Sequence, residues 1–197
     1  GFGQLDLTYT NDFFITNNQF GIINTGTYGF PAFGIQATNT SNGTYASNFV
    51  WQNNIGGNFV SCKYDRILAG NRFENSQKEG VIFNNCINGI FEGNWLNNNG
   101  ILTTNTYNHM RWQACNRCTI ANNQGFDWSG GTNTQKYGCS LESNCLNMII
   151  KGNSFAPSPN GYATAAWLFD ATMPSTTNAT DGALRFSSGN TIAAATT

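Results

Sequence analysis

Ten carboxylates, nine lysines and arginines and a single histidine carry nearly all the charge that 197 residues can bring to a reaction. Such scarcity makes each one informative. Asp127 and Glu142, with Arg111 nearby in sequence, form the candidate catalytic set. Two carboxylates with separated pKa values can cleave a glycosidic bond, one giving a proton and the other taking one. The Arg111 guanidinium can orient the substrate through paired donors. Glu79, His109, Trp95 and Trp128 are candidate sugar-binding residues, because flat rings and fixed polar groups suit the two faces of a pyranose.

Other chemistries are poorly supplied. Cys115-Asn-Arg-Cys118 has the spacing of half a zinc site, but no second CxxC exists and His109 is the only histidine. We therefore expect no metal and no cofactor. The net charge is −1 and the cations are scattered, so no nucleic-acid partner is expected. No apolar run approaches the ~18 residues of a membrane span, so none is expected to enter a bilayer. The chain opens on Gly1, which reads as a mature product or a fragment.

A scaffold must bring these residues together, and the sequence repeats itself to build one. The pattern apolar-x-x-Asn-x-apolar occurs at Ile15–Asn18–Phe20, Val50–Asn53–Ile55, Leu68–Asn71–Phe73, Phe91–Asn94–Leu96 and Ile150–Asn153–Phe155. Ile120–Asn123 follows it loosely, and Gly189-Asn-Thr-Ile192 gives a fainter copy. A second signal precedes the later copies: Gly80-Val-Ile-Phe83, His109-Met-Arg-Trp112 and Gly138-Cys-Ser-Leu141. Helical periodicity is absent, and glycine and asparagine bound apolar segments of three to five residues, as in short strands between turns. A repeat in the twenties fits one solenoid coil of three strands better than a propeller blade of about forty residues. The expected fold is all-β, a single-stranded right-handed parallel β-helix of about seven coils. Residues 1–155 form the helix, and 156–197 an irregular C-terminal extension with a final strand or cap.

On these motifs the sequence resembles the pectate-lyase-like superfamily, whose coils carry an asparagine ladder at the short turn between the second and third strands. The resemblance spans roughly residues 11–155. It implies a turn asparagine in left-handed conformation, hydrogen-bonded to its equivalents along the stack, and an outer groove as the working surface. Period two along the strand after each glycine points Val81, Phe83, Met110, Trp112, Cys139 and Leu141 inward. Arg111, Gln113, Ser140 and Glu142 then face out, with Glu79 and His109 at the strand starts and the Asp127–Trp128 loop beside them.

Two further readings follow from register. Cys86, Cys115 and Cys145 each lie eight residues before a repeat asparagine, so they stack as reduced thiols in the core; all six cysteines are expected free. Phe14, Phe49, Ile67, Ile90 and Ile149 each precede an inward residue, which predicts an outward apolar stripe. A second copy covering it would make a homotrimer with parallel axes. Low charge, abundant Asn, Gly and Thr, free cysteine and that stripe look most like a bacteriophage tailspike or tail-fibre domain. The resemblance then implies a virion-tail protein that binds, and in some cases depolymerises, bacterial surface polysaccharide. A secreted polysaccharide lyase or glycoside hydrolase is the first alternative, and a non-enzymatic structural solenoid the second.

Overall fold

The computed structural model describes residues 4–22, 29–126, 135–143, 145–155, 165–169, 185–186 and 191–192. Along them the chain visits three sheets in strict rotation, one strand at a time. The first sheet holds β1 (Leu5–Thr8), β4 (Phe33–Thr38), β7 (Ile55–Val60), β10 (Val81–Asn84), β13 (Met110–Gln113), β16 (Tyr137–Glu142) and β19 (Ala165–Phe169). The second holds β2 (Phe14–Thr16), β5 (Thr44–Ala46), β8 (Arg66–Ile67), β11 (Ile90–Glu92), β14 (Thr119–Ala121), β17 (Ile149–Lys151) and β20 (Arg185–Phe186). The third holds β3 (Gln19–Phe20), β6 (Phe49–Trp51), β9 (Arg72–Glu74), β12 (Trp95–Asn97), β15 (Gln124–Phe126), β18 (Ser154–Phe155) and β21 (Thr191–Ile192). Every pairing is parallel, and each coil pairs with the next. This is the right-handed parallel β-helix expected, with seven strands in each sheet. Within 156–197, β19, β20 and β21 add one strand to each sheet.

Stacking in register turns each inward position into a column. Phe59, Phe83 and Trp112 lie one above another with ring centroids 5.0 and 3.8 Å apart. Ile67, Phe91, Ile120 and Ile150 form a second column, all at most 1% exposed. Burial of each such side chain contributes about 1.5–3 kcal/mol. The six cysteines are free and buried. Cys62 joins Cys86, Cys115 and Cys145 in their column, since the residue after each forms a bridge to the next coil.

Asn18, Asn48, Asn71, Asn94, Asn123 and Asn153 form the ladder. Asn94 Nδ2 donates to Asn123 Oδ1 at 3.2 Å, and Asn123 Nδ2 to Asn153 Oδ1 at 2.9 Å. Each also serves backbone groups: Asn123 Nδ2 donates to the Phe91 carbonyl, and Asn123 Oδ1 accepts the Asn94 amide. Three expectations need correction. The ladder member of its coil is Asn48, not Asn53; Asn53 lies past β6, at the corner that leads back to the first sheet. The left-handed residue is the one before each ladder asparagine, as at Asn17 (φ 58°), Ser47 (φ 55°), Gly93 (φ 68°) and Asn122 (φ 54°). That leaves the ladder side chain free to point inward.

The third correction concerns the outward stripe. Ile67 is buried in line with Phe91, because Ala69 adds a residue to the turn and shifts the inward position back by one. Phe49 belongs to the third sheet, opposite Gln19 and Arg72. The outward column of the second sheet therefore reads Phe14, Thr44, Arg66, Ile90, Thr119, Ile149. Arg66 and two threonines interrupt the apolar stripe.

One buried carboxylate stands inside the coil. Asp65 is 2% exposed, accepts the Thr40 hydroxyl at 2.6 Å and the Gly43 amide at 2.8 Å, and has Cys62 and Cys86 as neighbours. Burial raises its pKa, the two hydrogen bonds opposing. A raised folded pKa means that its contribution is fully present below the unfolded value near 3.9 and is lost as pH rises through the folded pKa. Asp65→Asn should therefore be more stable than the wild type at pH 7 by about 1–2 kcal/mol. The gap should close as pH falls, read from urea unfolding at both ends of the range.

Candidate active site

The first sheet presents alternate residues of adjacent coils to solvent, and its register sets Arg111 opposite Ser140 and Gln113 opposite Glu142. Arg111 leans two residues along β16. Its Nη2 and Nε donate to Glu142 Oε2 at 2.9 and 3.1 Å, and Gln113 Nε2 reaches the same oxygen at 3.4 Å. Arg111 Nη1 faces Glu79 Oε1 at 3.8 Å. One guanidinium thus lies between two carboxylates. Oxygens at its two ends are no more than about 9 Å apart, below the ~9.5 Å upper limit of glycosidase pairs.

The two carboxylates differ in setting. Glu142 is partly buried, its side chain 19% exposed, and held by charge-assisted bonds. Glu79 is 6% exposed and meets Arg111 at the longer distance. Burial pushes the Glu79 carboxyl above its usual range, opposed by its own backbone amide and by the Arg111 and Lys78 charges, and reinforced by Glu142. A carboxyl whose pKa is raised by burial, beside a second carboxylate bonded to a guanidinium, is the arrangement acid–base chemistry needs.

A groove of about 600 Å³ opens over this charged floor. Tyr107, Asn108, Lys136, Tyr137 and Phe169 line its walls. Tyr137 and Phe169 stand on β16 and β19, while Tyr107, Asn108 and Lys136 come from corner insertions, where the coil lengthens from 23 residues (Asn71 to Asn94) to 29 (Asn94 to Asn123) and 30 (Asn123 to Asn153). The two insertions hold each other: Tyr107 bridges Gln135, and the Lys136 amide donates to the Tyr107 carbonyl at 2.7 Å. Asn108 Nδ2 donates to Ser140 Oγ at 2.9 Å, which buries the serine and fixes the insertion to the sheet.

Glu79, Arg111 and Glu142 are brought together as the sequence suggested. His109 is not. Its ring is wholly buried at the corner, 3.3 Å from Asn99, and burial lowers its pKa to about 3. It stands where the coil below has Gly80, at which a side chain would strike Asn99. The strand-start position therefore points into the corner and not into the groove. Trp95 faces outward, 43% exposed, but on the third sheet away from the groove. Asp127 and Trp128 lie outside the described residues. Tyr107, Lys136 and Tyr137 escaped sequence reading, since insertions carry no period. Among the described residues no cluster of histidine, cysteine and carboxylates is arranged to hold a metal ion.

No protein-family model matches this sequence, and no curated protein does either. Among solved structures the chain is similar to the A-module of the mannuronan C-5 epimerase AlgE4 from Azotobacter vinelandii. Identity is 13% and the TM-score 0.45, over 96% of this chain and 58% of that one.

The Glu79 carboxyl can be followed directly by its side-chain carbon resonance. It should titrate above an ordinary glutamate. In Arg111→Met, which removes one of the charges favouring the ionised form, it should titrate higher still.

Proposed function

We propose that the chain binds a polysaccharide along its first sheet and hydrolyses it between Glu79 and Glu142. The observation that carries this reading is the Glu79–Arg111–Glu142 line on the groove floor. Glu79, its pKa raised by burial, donates its proton to the glycosidic oxygen as the bond breaks. Glu142, held in place by Arg111, takes the proton of the attacking water or stabilises the oxocarbenium charge. Arg111 fixes the distance between them. Activity falls as pH rises through the raised pKa of Glu79, because the donor is then lost.

Within this proposal the substrate is a bacterial surface polysaccharide and the protein a tailspike-like adhesin of a bacteriophage tail, assembled as a homotrimer. The charge-poor, amide-rich composition supports it, as do six free thiols in a chain with no disulfide among the described residues. The interrupted second-sheet stripe still offers Phe14, Ile90 and Ile149 as contacts for a second copy.

The test is reducing-end release from purified bacterial capsular and lipopolysaccharide glycans. Glu79→Gln and Glu142→Gln should each lower turnover by about 10²–10⁴-fold with folding intact. Equal turnover in both variants would remove the catalytic assignment. Sedimentation equilibrium reads the assembly: three times 21.5 kDa fits the tail adhesin, and a monomer contradicts the trimer.

A further inference from the structure

The third sheet carries a second surface of distinctive make-up. Its outward column in register is Gln19, Phe49, Arg72, Trp95, Gln124 and Ser154. The next outward column holds Trp51, Glu74, Asn97 and Phe126. Among these described residues there is no aliphatic side chain. Every group is a ring, a planar donor or acceptor, or a small hydroxyl.

The central members are held rigidly. Arg72 lies 4.8 Å from the centroid of the Phe49 ring and 5.9 Å from that of Trp95, and so is shared between two rings one coil above and one below. Glu74 accepts from Arg72 Nε at 2.8 Å and Nη2 at 2.6 Å while only 5% exposed, so it is a fixed anchor. Phe49 stacks on Trp51 at 5.8 Å, and Phe126 packs edge-on against Trp95 at 5.5 Å. These contacts hold Trp95 at 43% exposure and leave the Arg72 side chain 49% exposed. Glu74 engages one edge of the guanidinium, and the exposed amide of Gln124 lies on the other side of Trp95.

We infer that this face is a second glycan-binding site, separate from the groove. The ligand it fits is a neutral oligosaccharide. A pyranose whose face carries only C–H groups stacks on Trp95 without desolvating any polar group. Arg72 and Gln124, on the coils either side, then meet the hydroxyls at the ring's edge. The Arg72–Glu74 pair is neutral overall, so the site selects hydroxyls and not a carboxylated sugar. Preorganised rings keep the ordering cost of binding low.

The site can be tested in the Glu79→Gln/Glu142→Gln background, where a hexasaccharide stays uncut and the groove reading is not at stake. The probes are β-1,4-glucan, β-1,3-glucan and β-1,4-mannan hexaoses, with a hexauronate as control. The readouts are the Trp95 indole N–H resonance, assigned by its loss in Trp95→Phe, and the Arg72 Nε–H resonance. Both should move and saturate with at least one neutral hexaose at millimolar concentration, and the hexauronate should leave them still. Trp95→Ala should weaken binding by at least about tenfold, and so should Arg72→Lys, which keeps the charge and loses the planar donor. The inference is overturned if neither resonance moves with any neutral probe up to about 10 mM. It is overturned equally if both variants bind as the parent does, or if the resonances shift with protein concentration alone, which would make the face a contact between copies.

Discussion

A parallel coil must turn sharply between its second and third strands, and that turn buries backbone groups that no strand can pair. The asparagine ladder is what pairs them. At Asn94 one side chain satisfies the Ile67 carbonyl of the coil below and its own Glu92 carbonyl, and it meets Asn123 of the coil above. A buried polar group left unpaired costs about 1–3 kcal/mol, and a rung lost here would leave several. The left-handed residue before each ladder position aims the amide inward, and asparagine, glycine and serine hold that place in every described coil. Since each coil contacts only its neighbours, a continuous ladder fixes the register of the whole stack.

The candidate site depends on that register. Arg111 can bond Glu142 only because β13 and β16 pair in step, two coils' worth of corner insertions notwithstanding. The insertions that bear Tyr107, Asn108 and Lys136 lie at the corner between the third and first sheets. They lengthen the coil without disturbing the strands, and they build the walls of the groove over a floor the sheet provides. The same stacking places Phe49, Arg72 and Trp95 in one line on the opposite side of that corner. Function on either face is therefore a matter of which outward residues a rigid lattice brings together.

The lattice was largely legible in the sequence because its period is physical. Asn71, Asn94, Asn123 and Asn153 could be found by spacing alone. Asn53 competes with Asn48 because Tyr45–Asn48–Val50 and Val50–Asn53–Ile55 overlap and fit one pattern; only pairing between coils separates them. Ile67 was turned outward because a single extra residue, Ala69, reverses the alternation of side chains. The groove was half legible. Period two placed Arg111 and Glu142 outward, but the same rule sent His109 into the groove, where a corner breaks the alternation. The burial that singles out Glu79 arises from neighbouring coils and has no trace in its own segment.

Hydrogen exchange at the ladder amides tests the governing role of the asparagines most directly. The backbone amides of Asn94 and Asn123 donate only to side-chain oxygens of the next coil, Asn123 Oδ1 at 2.9 Å and Asn153 Oδ1 at 3.0 Å. If the ladder fixes the stack, both amides exchange only through global unfolding, with the same protection free energy as the amides of β11 and β14 beside them. Exchange at those two positions as fast as in an unstructured chain, while β11 and β14 stay protected, would contradict it.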